Sequence, residues 1–328
     1  GLGFGPKDFS VDQRGRHVDI PKYRRSNVKL VFASVAPLSR TVEPRRAEHL
    51  ARMYQTKPES TVTSMSMAKA QALEQLKIYR NILSLHRKSL MGVETARELS
   101  ALWRLRKTGL LISLEGSEPL EDLDDLWLFF RLGVRSLHLT WNYDNRYSAS
   151  CMSKKDYGLT GDGEELVARA NEIGVIMDMA HSSKKASMEL MRMTKLPPIF
   201  SHANSRSVKD HVRNADDEQI ALLSRKGGVM GFDFISSTIG DRPSVQRLAD
   251  HVMHVYDEFG PGVLALGSDF LGTSSLPEGL KNVEEVANLW SELMKRGMRR
   301  EDIEKMAWRN ALRVVERNSR RWSKAAVA

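Results

Sequence analysis

The stretch Val175-Ile176-Met177-Asp178-Met179-Ala180-His181 is an apolar run that closes on an imidazole. Three other stretches share its design: Leu110-Leu111-Ile112-Ser113-Leu114-Glu115, Pro198-Ile199-Phe200-Ser201-His202 and Val263-Leu264-Ala265-Leu266-Gly267-Ser268-Asp269. Each reads as a buried strand that ends in a side chain able to bind metal or move a proton. Each is followed by Gly, Ser or a polar segment and then a helical pattern. In a parallel barrel such strands end at one rim, so Glu115, His181, His202 and Asp269 are expected to converge there. Carboxylates and imidazoles gathered from separate strands are what a zinc site needs.

The rest of the chain continues the alternation. Strands are expected at Val28–Val35, Leu110–Leu114, Val134–Thr140, Val175–Ala180, Ile199–Ser201, Gly228–Phe234 and Val263–Gly267. Helical spacing runs through Ser64–His86, Leu120–Leu132, Asp162–Ile173, Ser183–Met193, Ala215–Lys226, Ser244–Phe259, Val283–Arg296 and Arg300–Asn318. Acidic residues crowd the first turn of Leu120–Leu132, and Gly174 is placed to stop the helix before it. Strand alternating with helix specifies an α/β fold with a parallel sheet. The expected architecture is a TIM-like (β/α)8 barrel with its first strand missing from the chain, because seven strands are counted where eight close a barrel. No linker or repeat divides the chain, so residues 1–328 read as one domain. Val35–Ser64 is polar and irregular, a surface excursion.

Composition narrows the function. The chain has 328 residues, 41% of them hydrophobic, which suffices for a large core. No apolar run approaches the roughly 18 residues of a membrane span. Gly1–Ser10 lacks the order of a signal peptide. The only cysteine, Cys151, excludes an internal disulfide and fits a reducing cytoplasm. A net charge of +9 raises the question of nucleic acid, but the basic clusters (Arg40–Arg46, Arg104–Lys107, Lys295–Lys305, Arg317–Lys324) are scattered and accompany no recognisable module. A solvated basic surface is the better reading.

Several single residues have a bland reading beside a functional one. Glu115 follows a buried run, where a carboxylate is costly unless paired or bound to a cation. A strand-end histidine alone is usually structural. His181 and His202, on consecutive strands about 5 Å apart, can reach one ion. Asp269 can bind metal or take a proton, or else cap a helix. Asp178, three residues before His181, reads as a partner behind the metal ligands. Arg213 suits a substrate carboxylate through its bidentate fork, or a salt bridge to Asp216 or Asp217. His17-Val18-Asp19 looks like a metal pair but precedes Ile20-Pro21 and a basic stretch, and is read as a decoy.

These residues carry a resemblance to the membrane dipeptidase (renal dipeptidase) family of zinc peptidases, within the amidohydrolase-type barrels. The matching segments are Ile112-Ser113-Leu114-Glu115-Gly116, Leu139-Thr140-Trp141-Asn142 with Asn145, Gly174 to His181, Ile199 to His202, Arg213-Asn214-Ala215-Asp216-Asp217, and Gly267-Ser268-Asp269-Phe270. The resemblance runs from about Asp19 to Arg317. It implies that Glu115 bridges two zinc ions, that His181 and His202 complete the second site, and that Asp269 belongs to the first site and transfers a proton. It also implies that Arg213 contacts a substrate carboxylate and that Trp141 and Asn145 line the substrate. The family's first strand carries a His-x-Asp pair that has no counterpart here, so two zinc ions are expected but only one site is fully represented. Trp141 stands where better-known members have a substrate-binding histidine, and Leu271 where Ser-Asp-Phe-Asp-Gly is usual.

The expected function is metal-dependent hydrolysis of dipeptides, with Glu115 and Asp269 as the catalytic residues. The alternatives are a related barrel amidohydrolase acting on N-acyl amino acids or lactams, and an impaired homologue that only binds ligand. A dipeptide is the expected partner. No membrane or nucleic acid is expected, and a homodimer is an admissible assembly.

Overall fold

The computed structural model describes residues 9–37 and 65–322. The Arg40–Arg46 cluster, all but the first residues of Val35–Ser64, most of Gly1–Ser10 and the end of the Arg317–Lys324 tail lie outside them.

All seven expected strands form: β1 (Leu30–Val35), β3 (Thr108–Leu114), β4 (Val134–His138), β5 (Ile176–Asp178), β6 (Ile199–Phe200), β7 (Val229–Phe232) and β8 (Leu264–Leu266). They pair in parallel in the order β1-β3-β4-β5-β6-β7-β8. An additional strand, β2 (Leu90–Gly92), pairs with Thr108–Leu110 of β3, below the point where β4 takes over at Ile112. The sheet is therefore a curled parallel sheet of the TIM type with helices packed on it. Among the described residues no pairing joins β1 to β8. β2 escapes notice in the sequence because three residues, one of them Gly, make too short a run to show a period.

The strands are apolar because both faces are covered. Every residue of β3 and β4 is buried, including Ser113, Ser136 and His138. Parallel strands sheathed by crossover helices have to read this way. The helices start and stop on local chemistry. Thr160, Ser183 and Ser244 accept hydrogen bonds from backbone N–H groups three residues on. Gly174 ends Gly161–Ile173 at φ 79°, and its carbonyl accepts from the indole of buried Trp322, which ties the C-terminal end to the sheet. Two expected helices are less regular than their spacing implies. Val283–Arg296 begins with a 3-10 turn at Val283–Glu285, and Arg300–Asn318 contains a π-helical turn at Lys305–Arg309.

The ends of β6, β7 and β8 approach one another closely. A Cβ on Gly267 would overlap the Ser201 carbonyl oxygen and the Gly231 backbone, and a Cβ on Gly231 would overlap the same Ser201 oxygen. Ser201 immediately precedes His202, so these two glycines fix how near the His202 backbone comes to the neighbouring strands. Gly267→Ala is expected to cost ~1–3 kcal/mol, since the obstacles are main-chain atoms that cannot turn aside. Gly262, with nothing within 4 Å of its would-be Cβ, is the control. Urea unfolding should show a lower midpoint for Gly267→Ala and little change for Gly262→Ala.

Candidate metal centre

The carboxyl ends of β3, β5 and β6 deliver Glu115, His181 and His202 to one place, where their ligand atoms all lie within 4.8 Å of one another. The Glu115 amide donates to the Val35 carbonyl, so β1 holds the residue in register. Glu115 Oε1 stands 3.2 Å from His181 Nε2 and 3.8 Å from His202 Nε2, while the Ser34 hydroxyl donates to Oε2. His181 sits at φ 70°, an uncommon conformation for a residue with a side chain. Its carbonyl oxygen accepts from the Cys151 amide at 2.7 Å and from the Thr140 hydroxyl at 3.2 Å, and these bonds hold the turn.

The two imidazoles are set up to accept a cation. His181 Nδ1 lies 2.8 Å from Asn142 Oδ1, and His202 Nδ1 lies 2.8 Å from Ser201 Oγ. With the amide oxygen as acceptor, Nδ1 of His181 carries the proton and Nε2 is bare. A proton on Nδ1 of His202, donated to Ser201, leaves its Nε2 bare as well. The two Nε2 atoms face each other at 3.0 Å. Burial holds both rings well below the ordinary histidine range, with Arg213 and neighbouring imidazoles adding to the effect, so both rings are neutral, each with one N–H and one lone pair, and with the N–H on Nδ1 both lone pairs turn inward. Two facing lone pairs beside a carboxylate oxygen fit a metal ion in chemistry and in direction.

Behind the cluster lies a buried pair that orients it. Asp178 Oδ1 accepts from the amides of Ala180 and Ser201, each at 3.0 Å. One carboxylate thus ties together the residues that precede His181 and His202. Its Oδ2 stands 2.9 Å from Nε2 of His138, which is registered directly opposite Asp178 on β4. Burial opposes a charge on His138, yet the Asp178 and Glu115 carboxylates raise it overall. The His138 ring lies 6.3 Å from that of His181 and 5.7 Å from that of His202.

Asp269 stands in a turn at φ 53°, its carbonyl accepting from Gly272, and no helix follows for it to cap. Burial, then the charges of Glu115 and of Asp233, push its carboxyl well above the usual range, and Arg213 pulls it partly back. Arg213 makes neither of the alternative salt bridges. Asp216 pairs with Lys184 and caps the helix Asp217–Arg225, and Asp217 pairs with His254. Arg213 instead touches the Cys151 thiol, and its charge is felt at Glu115, His181, His202 and Asp269. Its Nη2 is buried with no hydrogen-bond partner among the described residues. Trp141 is buried, with its ring 6.0 Å from that of His181 and 5.9 Å from Tyr143. Asn145 is fully occupied: its amide donates to Ser117 and Leu139 and accepts from the Tyr147 and Ser148 amides. The pair His17 and Asp19 is structural. Asp19 caps the helix Ile20–Arg25 and pairs with Lys22, and His17 Nδ1 accepts from the Leu271 amide.

Three buried groups near the site escaped the sequence reading. His138 interrupts Leu137 and Leu139, and an imidazole inside an apolar strand was a signal in itself. Asp233 ends Val229-Met230-Gly231-Phe232 in the same manner as the four opening stretches. Its Oδ1 accepts from Asn204, Thr238 and the Ile235 amide, while Oδ2 is buried without a partner. Glu118, three residues after Glu115, is 8% exposed, and burial raises its carboxyl to about 7.

The comparisons with known proteins agree with this geometry. Residues 4–325 match the model of the membrane dipeptidase family, peptidase family M19. The chain is 35% identical over 228 residues to dipeptidase verJ of Clonostachys rogersoniana, an alignment covering 67% of this chain and 59% of that protein. It is 30% identical over 324 residues to dipeptidase tcpJ of Claviceps purpurea (strain 20.1), covering 94% of this chain and 72% of that protein. This chain therefore spans less than two thirds of the first relative and about seven tenths of the second. In fold it is similar to a metallo peptidase from Rhodobacter sphaeroides solved with a phosphinate mimic of L-Ala-D-Ala, with a TM-score of 0.83, 22% identity, and coverage of 95% of this chain and 94% of that one.

Two expectations follow from the geometry. Asn142→Ala should weaken metal binding ~10–100-fold by freeing the His181 ring, as read by competition with a chromophoric chelator. The Glu118 carboxyl is raised on folding, so the stability it permits is present below about 4.5 and is lost as pH rises through about 7. Glu118→Gln should therefore be more stable than the parent at pH 8, by up to about 3 kcal/mol, and nearly equal to it at pH 4, by urea unfolding at both values. The fold, the family match over nearly the whole length and a metal-ready cluster lead to one statement: the chain belongs to the membrane dipeptidase family, peptidase family M19, a family of metal-dependent dipeptidases.

Proposed function

We propose that this chain hydrolyses dipeptides at a zinc centre held by Glu115, His181 and His202, with Asp269 moving the proton. The observation that carries the reading is the pair of imidazole Nε2 atoms facing each other at 3.0 Å beside the Glu115 carboxylate. Zinc held there supplies an acidified water and a polarised carbonyl at neutral pH. Asp269 takes the proton from the attacking water and returns it to the departing amine nitrogen. A carboxylate whose anion is disfavoured by burial and by Glu115 is a stronger base than an ordinary one, which suits that task. Arg213, with a buried and unpartnered Nη2, receives the C-terminal carboxylate of the substrate through its fork. Trp141 forms a wall beside His181. Asn145 acts through the loops it ties together, so its part in substrate binding is to hold Trp141's surroundings in place. Asp178 keeps the two imidazoles aimed.

The family resemblance supports two zinc ions sharing Glu115, of which the described residues furnish the three donors of one. The match over residues 4–325 supports a single barrel domain. No helix among the described residues is long and apolar enough to cross a membrane. A single cysteine supports a cytoplasmic location.

Glu115→Gln and His181→Ala should each reduce dipeptide hydrolysis to background while circular dichroism remains that of the parent. Asp269→Asn should lower kcat by ~10²–10⁴. Parent-level turnover in either of the first two variants would reject the scheme. A substrate panel separates the alternatives: dipeptides cleaved over N-acyl amino acids and lactams support a dipeptidase. The reverse order supports the related amidohydrolase, and no turnover of any supports a protein that only binds ligand.

A further inference from the structure

The rim carries a second unsatisfied charged group besides Arg213. Glu118 follows Glu115 by three residues and folds back onto the intervening turn: Gly116 is at φ 101°, and a Cβ there would overlap Glu118 Oε2. Glu118 Oε1 accepts a long hydrogen bond, 3.4 Å, from the Trp141 amide, and the Asn145 side chain and the residue's own backbone also bear on the carboxylate. Its Oε2 is buried and has no hydrogen-bond partner among the described residues. No lysine or arginine pairs with it among them. A carboxylate in this condition is costly, and the cost is recovered when a cationic donor arrives.

We infer that Glu118 receives the α-ammonium of the substrate, so that Glu118 and Arg213 together select a zwitterion two residues long. This rests on the dipeptide reading above and assigns the end of the substrate that Arg213 leaves free. The placement supports it. Glu118 belongs to the loop after β3 and Arg213 to the loop after β6, the loops that begin with Glu115 and lead on from His202, so the two groups come from different positions in the strand order. Trp141, whose amide touches Glu118, also lines the cluster with its ring beside His181. A carboxylate with an aromatic residue close by is chemistry that receives an ammonium group. A blocked amino terminus would bring Glu118 no charge, and a longer peptide would not seat both termini.

Binding tests this without turnover. The metal-loaded full chain is titrated calorimetrically with a phosphinate isostere of a dipeptide and with the same compound lacking its amino group. The parent should bind the amino compound about tenfold or more tightly than the des-amino one. Glu118→Gln should lose that preference, with the des-amino compound bound as before and metal content unchanged. Equal weakening of both compounds would show a structural role and overturn the assignment, as would a preference that survives in the variant or is missing from the parent. A parent that binds neither compound would remove the dipeptide reading and this inference with it. A parent that binds both equally would remove the inference alone.

Discussion

Two buried neutral imidazoles whose Nε2 atoms stand 3.0 Å apart beside a carboxylate are an electrostatic fault when both lone pairs turn inward, and a cation between them removes it. The rest of the site is arranged to keep that fault in place. Asn142 and Ser201 occupy the far nitrogens and so turn the lone pairs inward. Asp178 fastens the amides that precede both rings. Gly231 and Gly267 allow the strand that ends at His202 to come within main-chain contact of its neighbours. None of these groups needs to touch a substrate. Each limits how far the rings could relax, and a cluster that cannot relax is stabilised chiefly by the cation it binds.

The acids around the cluster divide by environment. Glu115 is buried, which alone would favour its neutral form, but imidazoles, the Ser34 hydroxyl and Arg213 together hold it low, as a metal ligand must be. Asp269 is pushed up by burial and by the charges of Glu115 and Asp233, and Asp233 is pushed up by burial against its own hydrogen-bond donors and Arg213. Glu118 is raised by burial, although its own backbone, the Trp141 amide and the Asn145 side chain pull it partly back. One rim thus holds an anion kept ionised and others kept ready for a proton or a cation. Separation of that kind is how a site assigns acid, base and ligand roles to chemically similar side chains. It also lowers the stability of the empty protein as pH rises, because the ionised form of each raised carboxyl is disfavoured in the fold.

Much of this was legible in the sequence because strand ends in a parallel barrel share a rim. An apolar run closing on Glu, His or Asp gives both the strand and the address of its last side chain, which is why Glu115, His181 and His202 were found together. Asp233 has the same signature and was missed only because Phe234 continues the apolar run past it. His138 and Glu118 were harder. His138 lies inside its strand and gains its meaning from the register that sets it opposite Asp178, and register is a property of two strands. Glu118 lies in a loop, where position depends on a positive φ at Gly116 and on a fold-back that no periodicity reports. Asn145, placed in the substrate set by the resemblance, is held by four loop hydrogen bonds that no sequence spacing reports.

The same logic bears on Glu115, whose two oxygens face different halves of the barrel. Oε1 turns toward the imidazoles from β5 and β6, and Oε2 turns toward Ser34 on β1. Strand β1 is one border of the described sheet and β8, which leads to Asp269, is the other. A carboxylate anchored by a hydroxyl on one border and electrostatically coupled to an acid beyond the other spans the interval between them. A neutral hydroxyl offsets only part of the charge on Oε2, and Asp269 adds to the negative potential there. Glu115 is thus the residue through which the charge on either border reaches the imidazoles.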